Sequence, residues 1–330
     1  MPQKNSRKIS ILSFVLCLGV IFIHTYNLGI YGIESLNGFV FRFETFTNKL
    51  ASGICVPYFF AISGFLFFRN FDLSCLTKKY KSRFHSILLP YGIWSTIYYL
   101  FFVFLTMTPL SRFMNGSIEV EFGIKAYLDY VWNGYYTLWF LRVLIWMILC
   151  APLLWLFLKQ RKYYWPEPVL ALLIFLSIKE KSVLFFNIYY ILGAYLGINY
   201  SKWIAKGVTK QTVLLAGLCL LGLVAMGGTY SGTILYNCAF ICSSWLVLDF
   251  FAFDKELPWW MKCTFFFYCG HDMILESVEK AILIVFGKSE AMALIDYIVA
   301  PFITVFILIG IAYLLKTYGK PVWKILNGGR

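Results

Sequence analysis

Ten long apolar stretches, separated by short polar ones, decide what this chain can fold into. They run at about 9–27, 53–68, 86–106, 138–158 and 167–178, then 183–199, 211–227, 233–253, 263–286 and 295–315. Roughly 20 apolar residues are needed to cross the hydrocarbon of a bilayer as a helix. Several stretches approach that length, and 167–178 is the short one. They show little amphipathic period, as expected of helices that are apolar on nearly every side. Composition agrees: 60% of the 330 residues are hydrophobic and 14% charged, against about 45–50% and 25% in soluble domains. So little polar surface cannot cover the chain in water, which excludes soluble, disordered, collagen-like and coiled-coil classes. The expected fold is all-α, a polytopic membrane protein of about ten transmembrane helices forming one domain over 1–330. The first stretch follows Lys4, Arg7 and Lys8 as a signal peptide would. No small-residue cleavage site follows Thr25-Tyr26-Asn27, so it reads as the first span.

The net charge of +13, from 29 basic and 16 acidic residues, raises the question of a nucleic-acid partner. Such binding needs the cations gathered on one patch. Threading the chain through ten alternating crossings, with the N-terminus inside, puts 20 of the 29 basic residues in inner segments and 8 in outer ones. Arg142 lies within a span. That excess follows the positive-inside rule and sets both termini in the cytoplasm. The charge is then an orientation signal toward a lipid bilayer, and no nucleic-acid partner is needed. The nine cysteines fall mostly within spans without CxxC or His/Cys ligand spacing, so they read as buried thiols, neither a disulfide framework nor a metal site. There is no internal repeat. Gly193 and Gly197 form a GxxxG, the pattern of a close helix-packing surface.

Ionisable groups inside spans are costly, so each is a functional candidate. His24 ends the first span and reads either as an interfacial capping residue or as a base. Arg142, early in the fourth, reads as a site cation or as a side chain snorkelling to headgroups. His271-Asp272 opens a stripe with Glu276 and Glu279 at i, i+4 and i+7, which faces either the bundle interior or an amphipathic outer half-turn. Asp249 falls near enough to the inner surface to be solvated. Arg69 and the loop Lys78-Lys79-Tyr80-Lys81-Ser82-Arg83 make a basic inner mouth suited to phosphate oxygens. A histidine base with a phosphorylated cytosolic donor uses all of these, and so does a transporter.

The order of motifs resembles the acyltransferase-3 family of bacterial integral-membrane O-acyltransferases. The blocks are Val20-Ile21-Phe22-Ile23-His24, then Val56-Pro57-Tyr58-Phe59-Phe60-Ala61-Ile62-Ser63-Gly64-Phe65-Leu66, then Lys81-Ser82-Arg83 with Leu88-Leu89-Pro90-Tyr91. Leu138-Trp139-Phe140-Leu141-Arg142, Tyr190-Ile191-Leu192-Gly193-Ala194-Tyr195 and Phe265-Phe266-Phe267-Tyr268 through His271 complete the set. The resemblance implies a ten-helix fold and transfer of an acyl group, usually acetyl, from cytosolic acyl-CoA to a hydroxyl of an extracytoplasmic glycan, with no metal. It implies His24 as catalytic base, Arg142 and His271 lining the site, and Arg83 with Arg69 and Lys81 binding the CoA phosphates.

Two positions depart from that pattern. Relatives commonly carry arginine eleven residues before the histidine, where this chain has Ser13, and an acidic residue after the fourth-span arginine, where it has Val143. Either another basic residue such as Arg7 or Lys8 substitutes for the missing cation, or the enzyme is slow or atypical, or the chain has lost acyl transfer. The competing reading is a catalytically degenerate relative serving as a transporter or structural partner in envelope glycan assembly. The acceptor glycan, the acyl chain and the oligomeric state are not written in the sequence.

Overall fold

The computed structural model describes residues 3–33, 38–108, 121–133, 136–160, 163–180, 184–204, 206–251 and 256–329, and among these there is no β-strand. The helices in chain order are α1 (Gln3–His24), α2 (Leu28–Tyr31), α3 (Phe39–Phe68), α4 (Leu76–Arg83), α5 (Leu89–Thr106), α6 (Ile124–Asn133), α7 (Trp139–Leu149) and α8 (Ala151–Leu158). They continue as α9 (Glu167–Glu180), α10 (Leu184–Asn199), α11 (Ser201–Ile204), α12 (Lys210–Tyr230), α13 (Ile234–Val247), α14 (Thr264–Phe286), α15 (Glu290–Tyr318) and α16 (Lys320–Leu326). In hydrocarbon only a helix satisfies every backbone group within its own segment, so apolar runs of this length become helices.

Each of the ten predicted stretches falls on a helix or a helix pair. Among the described residues, five helical runs are long and apolar enough to cross a membrane: 3–31, 39–68, 73–106, 210–230 and 290–318. The bent run through α6, α7 and α8 makes a sixth if counted as one span. Helices α9, α10 and α13, of 14, 16 and 14 residues, are shorter than a full crossing. Helix α14 has 23 residues, but five of them are His271, Asp272, Glu276, Glu279 and Lys280. All-helical architecture with several apolar helices marks a membrane protein. Val183, residues 252–253, Arg112, Arg161, Lys162, Lys181, Lys255, Arg330 and the side chain of Lys179 lie outside the described residues.

Helices α3 and α10 form the tightest seam, and glycine makes it possible. A Cβ on Gly64 would collide with the Tyr190 carbonyl, one on Gly193 with the Ala61 carbonyl, and one on Gly197 would lie 2.7 Å from the Phe65 carbonyl oxygen. The GxxxG of α10 is therefore a packing surface, as its spacing predicts. Helix α14 is fixed against α5 and the turn at Tyr136–Leu138. Tyr98 donates to the Cys269 carbonyl at 2.9 Å, and the Tyr268 hydroxyl donates to the Thr137 carbonyl. All nine cysteines are free thiols.

Three expectations change. Helix α3 begins at Phe39, well before residue 53: its first turns hold charged residues that end the apolar run in sequence, and one of them, Glu44, is fully buried. The basic loop is a helix, α4, which runs through a π-helical turn, Phe84–Leu88, into α5. Asp249 is not solvated: its side chain is 6% exposed and pairs with Lys4 at 2.8 Å and Lys8 at 2.7 Å.

Candidate active site

One cavity of about 510 Å³ runs through the bundle beside α1. Its size is that of a small-molecule site. Helix α1 lines it with Ile9, Ser10, Ser13, Val20, Ile23 and His24, so both ends lie on one helix. Fourteen residues from Ser10 to His24 rise by about 21 Å along the axis. The middle walls are apolar, from Val56, Phe59 and Ile62 of α3 and Phe140 and Leu144 of α7.

At one end the last residue of α1, His24, faces two others from α14. Its Nδ1 lies 3.9 Å from an oxygen of Asp272, whose side chain is 9% exposed. The rings of His24 and His271 are 5.2 Å apart, and Tyr136 stands edge-on to His24 at 5.5 Å. The α1 terminus is held by Asn48, which donates to the Ile23 carbonyl at 2.8 Å. His271 is fully buried, and its Nδ1 sits 2.7 Å from the Tyr268 carbonyl. A carbonyl only accepts, so Nδ1 carries the hydrogen, and the buried Nε2 of His271 is left without a hydrogen-bond partner. His24, His271 and Asp272 each offer a donor atom within 4.8 Å of the others. Two imidazoles and a carboxylate are a donor set for a zinc-type ion or for a proton relay.

The α14 stripe faces the interior. Asp272 and Glu279 are buried, Glu276 pairs with Lys280 at 3.6 Å, and Asp296 of α15 is fully buried beside Asn27, which donates to it at 3.1 Å.

At the other end the cavity is lined by Arg83 and Lys262, with Ser10, Ser13 and Thr264 as hydroxyl neighbours. Arg83 closes α4 with its guanidinium 5.7 Å from the Phe67 ring. Lys79 packs against the same ring and donates to the Phe67 and Arg69 carbonyls. Arg69, just past α3, does not line the cavity, and its Nη1 is buried without a hydrogen-bond partner. Lys81 is exposed on α4 away from the cavity wall.

The structure thus brings together His24, His271 and Asp272 at one end and places Arg83 at the other. Arg142 is half-buried on α7, within electrostatic range of the Tyr91 hydroxyl, and the α7 residues lining the cavity are its neighbours Trp139, Phe140, Leu141, Leu144 and Ile148. Ser13 lines the cavity, so the position where the family resemblance implies an arginine faces the site. Lys8 does not substitute there: it is 1% exposed, paired with Asp249 and stacked 4.6 Å from the Trp245 ring. Two site features escape sequence reasoning, the approach of Asp272 to His24 and the presence of Lys262 on the cavity wall. Both join residues from opposite ends of the chain.

Residues 8–317 match the sequence model of a family described as an acyltransferase domain. The chain is also similar to a succinoglycan biosynthesis protein, ExoH, of Rhizobium meliloti (strain 1021), at 25% identity over 373 aligned residues that cover 100% of this chain and 94% of that protein. No solved structure matches.

Proposed function

Since the chain belongs to the acyltransferase domain family, we propose that it is a membrane O-acyltransferase that moves an acyl group, acetyl in the simplest case, from cytosolic acyl-CoA to a hydroxyl of a cell-surface polysaccharide or its lipid-linked precursor. The observation that carries this reading is the single cavity joining His24 to Arg83. The similar protein is named for succinoglycan biosynthesis, which supports a glycan acceptor. The inner excess of basic residues supports a bacterial plasma-membrane protein with both termini in the cytoplasm.

The chemistry runs from the acceptor. A hydroxyl is a poor nucleophile at neutral pH and needs an adjacent base. With Nδ1 turned toward Asp272, His24 presents Nε2 to the cavity. That nitrogen takes the hydroxyl proton as the oxygen attacks the thioester carbonyl. The new C–O bond forms, the C–S bond breaks, and the CoA thiolate leaves with the proton returned from His24. Asp272 orients the imidazole and stabilises its protonated form, the role of the acid in a hydrolase triad. His271 is fully buried and does not line the cavity, contrary to the expectation, so it acts on His24 by position, its ring 5.2 Å away. Arg142 does not line the cavity, so any part it plays is an indirect one through the charge it places in the bundle. Arg83, on the cavity wall, holds the donor phosphates, and Arg69, which does not line the cavity, adds only charge behind it. The three-residue donor set at His24 is read here as a relay.

A non-catalytic reading, as transporter or structural partner, draws on one observation: Ser13 places a neutral hydroxyl on the cavity wall. The test is His24→Ala in the native membrane. The expected result is loss of glycan O-acyl groups with the protein inserted at normal abundance. Unchanged acyl content in that variant overturns the enzyme reading.

A further inference from the structure

We propose that Lys262 is the second cation of the donor mouth, facing Arg83 and gripping the phosphate groups of a long-armed thioester donor; this rests on the acyl-CoA reading above. Lys262 ends the short 3-10 turn Trp259–Lys262 that leads into α14, so it reaches the cavity from the α1 and α14 side, whereas Arg83 reaches it from α4. Trp260 of that turn packs edge-on against Phe14 of α1 at 5.0 Å, which fixes the turn to the cavity wall. The neighbouring lysines are already engaged. Lys4 and Lys8 pair with Asp249, Lys79 donates to two carbonyls, Lys159 faces Asp72, and Lys316 lies over Trp259 at 5.0 Å. Lys262 forms no ion pair among the described residues, and its ammonium is free to meet an anion.

The shape of the cavity narrows the donor further. A phosphate cannot follow the apolar walls at Val56, Phe59, Ile62 and Phe140, because unpaired charge is costly there. It stays between Arg83 and Lys262, and the reactive carbonyl has to reach His24, about 20 Å along α1. An acyl phosphate is too short to touch both ends. A thioester at the tip of an extended phosphopantetheine arm has the needed reach, and its nucleotide phosphates remain at the mouth.

The same phosphate chemistry is offered by anionic lipid headgroups, so the test separates the two. Purified parent, Lys262→Ala and Lys262→Arg are reconstituted in nanodiscs of phosphatidylcholine alone and of phosphatidylcholine with phosphatidylglycerol. Binding of CoA and of pantetheine is then measured by calorimetry. The expected result is a CoA Kd raised about tenfold in Lys262→Ala, the size of one charge-assisted hydrogen bond, in both lipid compositions. Pantetheine binding is unchanged and Lys262→Arg stays near the parent. An unchanged CoA Kd in Lys262→Ala, with the parent binding normally, overturns the role of Lys262 alone. An effect confined to phosphatidylglycerol discs assigns the lysine to a lipid headgroup and overturns the donor assignment. A parent that binds no CoA in either disc removes the acyl-CoA reading itself, and Lys262 with it.

Discussion

The Nδ1 of His24 stands 3.9 Å from a carboxylate oxygen of Asp272, which joins the end of α1 to the first half of α14. The gap is longer than a hydrogen bond, as catalytic contacts often are before substrate tightens them. It leaves the other imidazole nitrogen to the cavity and makes the two residues separable by mutation. His24→Ala is expected to remove acyl transfer. Asp272→Asn keeps the shape of the side chain and removes its charge, so kcat is expected to fall by about 10²–10⁴, the range of a general base contribution, while the donor KM moves little. Steady-state kinetics on both variants check this, and an equal rise in donor KM would place Asp272 in binding.

The donor end permits a sharper comparison between two cations of one helix. Arg83 lines the cavity and Lys81, two residues earlier, does not. Arg83→Ala is expected to weaken CoA binding by about tenfold or more, following the loss of a charged hydrogen bond. Lys81→Ala is expected to leave the affinity within about twofold, since exposed charges contribute little. Equal losses in both would show that the helix acts only through its summed charge.

Position 13 tests whether the chain is an active enzyme. Ser13 faces the cavity from α1, so Ser13→Arg puts a guanidinium directly on the donor path. With an active parent, tighter CoA binding is the expected outcome. Acyl transfer in Ser13→Arg with none in the parent would identify a chain that has lost its activity and could regain it.

The three donors at His24 give a prediction about metals. Exhaustive dialysis against a chelator is expected to leave acyl transfer unchanged, because the reading uses His24 as a free base. Stoichiometric zinc in the purified protein, with activity lost on its removal and restored by its return, would recast His24, His271 and Asp272 as ligands.

The helix seam gives a prediction about stability. Gly64→Ala drives a methyl group into the Tyr190 carbonyl and is expected to cost about 1–3 kcal/mol, as overpacking does. Gly92→Ala meets nothing within 4 Å and serves as the control. Melting in detergent should fall for the first variant and hold for the second.

The apolar runs and the glycine spacing at 193 and 197 were legible in the sequence, because both are local patterns that a helix turns directly into a buried face. His24 and Arg83 also stood out, one as an isolated polar group in a span and one in a basic cluster. Their common cavity did not, since it depends on which distant helices meet. Glu44 and Lys8 look like loop and surface charges in sequence, yet both are buried. For Lys8 the reason is Asp249, a partner supplied from just past the end of α13. No periodicity carries that pairing.

The α3–α10 seam has a mechanical consequence. Where two helices meet backbone to backbone, neither slides without breaking van der Waals contact along the whole line. Together they act as a fixed rail along the cavity, α3 contributing Val56 to Phe67 and α10 contributing Tyr190. On the opposite side the Tyr136–Leu138 turn meets α14 through one hydrogen bond, from the Tyr268 hydroxyl to the Thr137 carbonyl. A backbone seam is rigid along its length, whereas a single hydrogen bond holds that side at one point.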